Sequence, residues 1–216
     1  MTGPSAPPRR AGRGRRSGRR GGDSGTREAI LAAARSRFGD YGYDGATIRG
    51  IAADAGVDAA LVHHFFGSKE RLFAAAMRLP ILPSELVAAA LAAGAREPGQ
   101  SLGEHMLRTV LGAWDVAEMR ATFLGLLRSA MTSEQAAGML REFATETILG
   151  RIAEVAEPGS AGADGQFRAA LVASQVLGLA LTRYVLELDP LARAGTDELA
   201  AAIGPALERY LSGDIR

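Results

Sequence analysis

Between Thr47 and Glu70 the chain reads TIRGIAADAGVDAALVHHFFGSKE, and few folds can accommodate that segment. Thr47 can cap a short helix on which Ile48, Ile51, Ala52 and Ala55 recur at helical spacing. Gly56 ends it, Asp58 is placed to cap a second helix, and Val57, Val62 and Phe66 give that helix an inner side. Ser68 caps a third, with Lys69 and Glu70 in its first turn. Two short helices joined by a three- to four-residue turn make a helix-turn-helix, whose second helix can enter the major groove of DNA.

The residues around it agree. Ser24 or Thr26 can start a helix running to about Tyr41, with Ile30, Ala34 and Phe38 on one face, before Gly42 and Gly45 break it. The helix from Ser68 to about Leu79 carries Leu72, Phe73, Ala76 and Met77, and Pro80 and Pro83 interrupt it. Further helices are expected at about 84–96, 101–115, 118–130, 133–157, 165–188 and 196–211. Pro98-Gly99, Thr132-Ser133, the 158–165 loop and Asp189-Pro190 punctuate them. Alanine and leucine dominate, β-branched and aromatic residues are sparse, and neither a strand pattern nor an internal repeat is evident. The expected fold is all-α: an Arg-rich arm over 1–23, disordered when free, then a three-helix DNA-binding domain over 24–79 and a helical domain over 80–216.

This order of features resembles the tetracycline-repressor (TetR) family of bacterial transcription regulators. The resemblance runs from about Arg27 to Met77 and rests on the Thr47-capped helix, Ile51-Ala52, Ala55-Gly56-Val57, the aromatic-rich second helix, and Ser68-Lys69-Glu70. It departs at His63 and His64, where relatives usually carry tyrosine. The resemblance implies a dimer that sets two recognition helices in successive major grooves, about 34 Å apart, over a palindromic operator. It puts Arg49 where relatives reach a base or phosphate, and Ala59, Ala60, Leu61 and His63 at groove-facing positions. Thr47, His64 and Lys69 correspond to phosphate-contacting positions. Alanine and leucine offer only apolar contact, notably to thymine methyls, which leaves polar readout to Arg49 and His63. The family mechanism is repression relieved by a small molecule; activation is the alternative.

Charge is unevenly spread. Seven arginines and no acidic residue occupy the first 22 positions, so a net charge of +1 overall leaves −6 on the rest. Such an arm is suited to tracking phosphates or entering a minor groove. The 216 residues, 47% of them hydrophobic, suffice for a substantial core. Without cysteine there is no disulfide, thiol catalysis or Cys-ligated zinc. No apolar run approaches the roughly 20 residues that span a bilayer, and no apolar segment follows the charged start. The expectation is a cytoplasmic protein with no membrane partner and no cofactor.

In the second domain the two longest expected helices flank the 158–165 loop. Such a hairpin can pair with a second copy as a four-helix bundle, helped by Ala169, Ala173, Gly178 and Ala180. Trp114, Phe123, Met106, Met119, Phe143 and Tyr184 are its large residues, by default core. His105, Gln175 and Arg183 are polar positions on otherwise apolar helices, where a ligand could supply the partners that buried polar groups need. A mostly apolar cavity is therefore expected between the 84–130 helices and the hairpin, lined from His105, Trp114, Phe123 and Gln175. Gly99-Gln100-Ser101-Leu102-Gly103 spells a nucleophile elbow, but that motif requires a strand ahead of it, and Ala95-Arg96-Glu97-Pro98 supplies none. Ser101 as a helix cap explains the residue, and no catalytic residue is assigned. His63 and His64, about 100° apart on a helix, cannot readily share a metal ion.

Overall fold

Ile30, Leu31, Ala34 and Phe38 make the buried face of the first helix, α1 (Arg20–Gly45), in a computed structural model that describes residues 20–92, 99–156 and 163–215. Residues 1–19 of the Arg-rich arm, the expected helix beyond residue 92, and most of the 158–165 loop lie outside the described residues. The helix begins earlier than Ser24 and kinks at Gly42, whose φ of 73° is open to glycine at little cost. A Cβ there would lie 2.5 Å from a Glu142 carboxylate oxygen, so a side chain would push that carboxylate aside.

Three short helices follow: α2 (Ile48–Asp54), α3 (Ala59–Phe66) and α4 (Lys69–Ala76). Each starts as its sequence dictates. The side chains of Thr47, Asp58 and Ser68 accept hydrogen bonds from the backbone N–H of Gly50, Ala60 and Arg71 at 3.1, 2.7 and 3.1 Å. Together α1 to α4 close over Phe38, Tyr43, Ile51, Val62, Phe66, Leu72 and Phe73.

The rest of the chain is also helical, with no strand among the described residues. Pro83 opens α5 (Pro83–Ala90) at its first turn, where a missing N–H costs nothing. Then come α6 (Leu102–Asp115), α7 (Ala117–Thr132) and α8 (Glu134–Ala144), followed by a π-helical turn over Thr145–Leu149 and by α9 (Gly150–Ala156). The single helix expected over 133–157 is therefore interrupted: α8 lies against α1 and α7, whereas α9 lies against α10 (Ala163–Tyr184). Asp189-Pro190 initiates the short α11 (Asp189–Arg193) instead of merely ending the previous helix. The chain closes with α12 (Thr196–Ser212), whose most extensive partner is α6.

That pairing depends on two glycines. A Cβ on Gly103 would collide with the Gly204 carbonyl oxygen, and one on Gly204 would come within 2.9 Å of Glu104 Cα. The Glu208 carboxylate in turn accepts from Gly103 N–H at 2.9 Å, capping α6 from its neighbour. The second core so formed consists of Met106, Leu107, Leu111, Ile152, Val172, Leu179, Leu199, Leu207 and Leu211 with several alanines. Phe143, expected there, instead joins Met139 in the first core. No helix among the described residues is long and apolar enough to cross a membrane.

Candidate nucleic-acid interface

The second helix of the motif, α3, buries Val62 and Phe66 and turns the opposite side to solvent. Ala60, His63 and His64 are exposed and Leu61 is half-buried. Ala59, in the first turn, is half-buried like Leu61 and packs partly against the first core. His63 Nδ1–H donates to the Gly67 carbonyl at 3.2 Å, closing the end of α3 and leaving Nε2 as the ring atom free for a partner. The His64 ring stands edge-on to Phe65 at 5.7 Å.

Arg49, on the first turn of α2, is exposed and makes no ion pair or side-chain hydrogen bond with any described residue. Thr47 is exposed beside it. Its oxygen is used as a cap, but its O–H remains able to donate. Lys69 is more committed than the sequence suggests. Its Nζ donates to the Asp44 carbonyl at 3.3 Å and sits 4.5 Å from the Tyr43 ring centroid.

Other contacts escaped the sequence reading. Arg37 of α1 forms a two-bond fork with Asp54 of α2, at 2.5 and 3.0 Å, and lies against Gly50. That pair holds the Asp54 carboxyl below its ordinary value and raises the guanidinium. Arg27 sits 5.3 Å from the Phe66 ring, tying α1 to the end of α3. From α8, the Glu142 carboxylate accepts from Asp44 N–H at 3.0 Å, Gln135 donates to the Gly39 carbonyl, and Phe143 stacks on Phe73 at 4.4 Å. Glu146, in the π turn, shares a hydrogen bond with Asp44; that bond, then burial, pushes its carboxyl above the ordinary value. Burial, opposed by a hydrogen bond to Thr147, carries the Tyr43 hydroxyl up to about 12. The elements that place α2 and α3 are thus gripped by α8 at the bend around Gly42.

The four ligand candidates of the helical body do not line one cavity. Trp114 and Phe123 stack face to face at 4.4 Å, filling the space between α6 and α7 with each other. His105 Nε2–H donates to the Ala89 carbonyl at 3.0 Å, joining α6 to α5. Gln175 is exposed and borders a shallow groove of about 290 Å³ with Ser174, Gly178, Leu179, Thr182, Leu191 and Ile203. Polar placement on an apolar helix pointed to a partner in each case. For His105 that partner proved to be a neighbouring backbone.

The elbow-like Gly99–Gly103 stretch is accounted for by packing. The Ser101 hydroxyl accepts from Glu104 N–H and the Glu104 carboxylate from Ser101 N–H, a complete capping box. Gly103 serves the crossing with α12 and His105 is turned toward Ala89, so no nucleophile–base pair exists there.

Residues 30–76 match the family model of bacterial regulatory proteins of the tetR family, and residues 100–211 match the tetracyclin repressor-like C-terminal domain. The HTH-type transcriptional regulator BetI of Agrobacterium fabrum is 43% identical over 74 residues, which cover 33% of this chain and 36% of that protein. The HTH-type transcriptional repressor AcnR of Corynebacterium glutamicum is 42% identical over 53 residues, covering 24% and 28%. The chain thus matches only about a third of the length of these curated relatives. A crystal structure of a TetR-family regulator from Streptomyces coelicolor is 38% identical, covers 90% of this chain and 99% of its own, and superposes with a TM-score of 0.43. With one family model on the helix-turn-helix and a second on more than half of the chain, this protein belongs to the TetR family of DNA-binding transcriptional regulators.

Proposed function

We propose that the chain is a ligand-responsive repressor that binds a palindromic operator as a homodimer. The observation that carries the reading is the solvent face of α2 and α3, where Thr47, Arg49, Ala60, Leu61, His63 and His64 stand together on a fully capped scaffold. Arg49 is the donor for base edges, and His63 offers Nε2 to a base amino group. Thr47 and His64 suit phosphate oxygens, and Lys69 steadies the helix start beside them. The Arg-rich arm adds sequence-independent attraction. Residues 24–79 form the reader and 80–216 the sensor and dimer-forming part, with α8 gripping the reader's core from the sensor side.

Along the 133–188 hairpin, α10 gives the dimer reading its clearest support. Phe167, Leu171, Ser174, Gly178, Leu181 and Val185 follow three- and four-residue spacing along one side of it. Phe167 and Val185 are 57% and 47% exposed, and a Cβ on Gly178 would meet nothing within 4 Å. A second copy laid along this stripe would bury it and let the backbones approach closely. Ala169 and Ala180 face the interior instead. A ligand in the sensor that favours a different spacing of the two readers would release the operator.

Selecting fragments of the source genome bound by the full-length protein tests this. The expected result is an inverted repeat with half-sites one helical turn apart or a multiple of it, bound by a species of twice the chain mass. Enrichment of single, unrepeated sites by a monomer would overturn the dimeric-repressor reading.

A further inference from the structure

Several charged residues of the helical body converge at one end of it. Asp115, at the end of α6, accepts from the Tyr184 hydroxyl at 2.9 Å and from the Thr196 hydroxyl at 3.1 Å. Arg183, on the last turn of α10, gives Nη1 protons to the carbonyls of Leu191 and Ala194, both at 2.7 Å. Its Nη2 stays 3.8 Å from Asp115, its side chain is only 9% exposed, and its buried Nε has no hydrogen-bond partner. Arg120, on the first turn of α7, lies 5.6 Å from the Tyr184 ring and makes only long contacts, at 3.4 and 3.5 Å, to the Trp114 and Asp115 carbonyls. It reaches no carboxylate of a described residue within 4.0 Å. Asp115, Arg120, Arg183, Tyr184, Glu187 and Ala192 line a depression of about 310 Å³. The Trp114 ring meets the Tyr184 ring edge-on at 6.4 Å.

A buried guanidinium is costly unless its charge and its N–H groups are matched. Holding α11 explains the Nη1 bonds of Arg183 but leaves Nε unmet, and the nearest carboxylate is already engaged by two hydroxyls. Arg120, with no carboxylate of a described residue in reach, stands at the same depression. Glu187 is exposed, beyond the end of α10, with φ at 48°. The Arg120 fork, unpaired among the described residues, and an Arg183 whose only described carboxylate is shared with two hydroxyls, leave room for a further planar anion beside the Tyr184 ring. We propose that this depression binds a small molecule bearing a carboxylate, held by Arg120 and Arg183, with its apolar part against Tyr184. The proposal rests on the reading of this body as the sensor and names the chemistry it senses. At about 310 Å³ the site is at the small end for ligand pockets, suiting a compact organic acid.

Trp114 is the only tryptophan in the chain, so its emission reports on this site. Full-length protein is titrated with matched acid and amide pairs: benzoate and benzamide, phenylacetate and phenylacetamide, hexanoate and hexanamide. At least one acid should give a saturable change that its amide does not. Arg120→Gln should weaken it about tenfold without moving the melting temperature. Arg183→Lys, which keeps the charge but loses the fork, should weaken it while the fold persists, and Glu187→Gln should leave it unchanged or tighter. Equal responses to acids and amides, no saturable response to any acid, or indifference to Arg120→Gln would overturn the proposal. Repeating the titration with a selected DNA fragment separates the two readings. An acid that binds at Arg120 yet leaves DNA affinity unchanged supports the site and sinks the ligand-responsive reading. Release of DNA by an uncharged amide, undiminished in Arg120→Gln, supports that reading and sinks the site.

Discussion

Around the helix-turn-helix, aromatic rings from three helices interlock. Phe38 and Tyr43 of α1, Phe73 of α4 and Phe143 of α8 lie within 4.4 to 5.8 Å of one another in stacked and edge-on pairs. The core between α6, α9, α10 and α12 is built from leucine, isoleucine, valine and alanine with Met106, and its helices approach by omitting side chains at Gly103 and Gly204. Large rings with defined contact geometry fix relative helix positions, as suits a surface that must match the spacing of base pairs. The alanine-rich body leaves an open groove beside α10 and a polar depression beside Arg183. The proposed sensing role needs such vacant volume, and DNA reading does not.

The comparison can be broken by mutation. Phe73 is completely buried and touches three other rings, so Phe73→Ala should cost about 3–5 kcal/mol and abolish DNA binding with it. Thermal unfolding followed by circular dichroism checks the loss; a change below about 1 kcal/mol would show that the rings are loosely packed. Gly103→Ala attacks the other body by overfilling it. A cost of about 1–3 kcal/mol is expected, appearing as faster amide exchange in α6 and α12 while α1 to α4 keep their protection.

Glu142→Ala tests the seam between the two. Removing the acceptor for Asp44 N–H should cost about 1 kcal/mol and speed exchange of that amide, with a modest loss of DNA affinity. Unchanged exchange at Asp44 would mean that α8 merely lies alongside. The smallest effect concerns pH. The Asp54 carboxyl is lowered by Arg37, so its contribution is present at neutral pH and fades as pH falls through its depressed pKa. Glu146 is raised, chiefly through Asp44, so its contribution is present in acid and fades as pH rises through that raised pKa. Both groups are solvent-exposed, so melting temperatures of Asp54→Asn and Glu146→Gln against wild type should diverge only slightly, in opposite senses across the acid range.

What the sequence made legible was whatever is decided locally. The caps at Thr47, Asp58, Ser68 and Ser101 and the kink at Gly42 depend on neighbours within about four residues, and each stands where the sequence puts it. The seam was hidden, because Glu142 and Asp44 are 98 residues apart and nothing in either helix marks the pairing. Phe143 was assigned to the wrong core for the same reason, and the π turn at Thr145–Leu149 carries no composition signal. Arg183 stood out as a polar residue on an apolar helix, but Asp115 and Arg120 sit at helix ends, where charge is ordinary.

The central claim is that α2 and α3 present a base-reading surface held fixed by the aromatic core. Arg49 is its most direct test, since it is exposed and forms no ion pair with any described residue. Fluorescence anisotropy of Arg49→Ala should show about 1–3 kcal/mol lost on the selected operator and almost none on a scrambled duplex of equal length, at one fixed salt concentration. Equal losses on both duplexes would reduce Arg49 to a phosphate contact, and no loss on either would contradict the account.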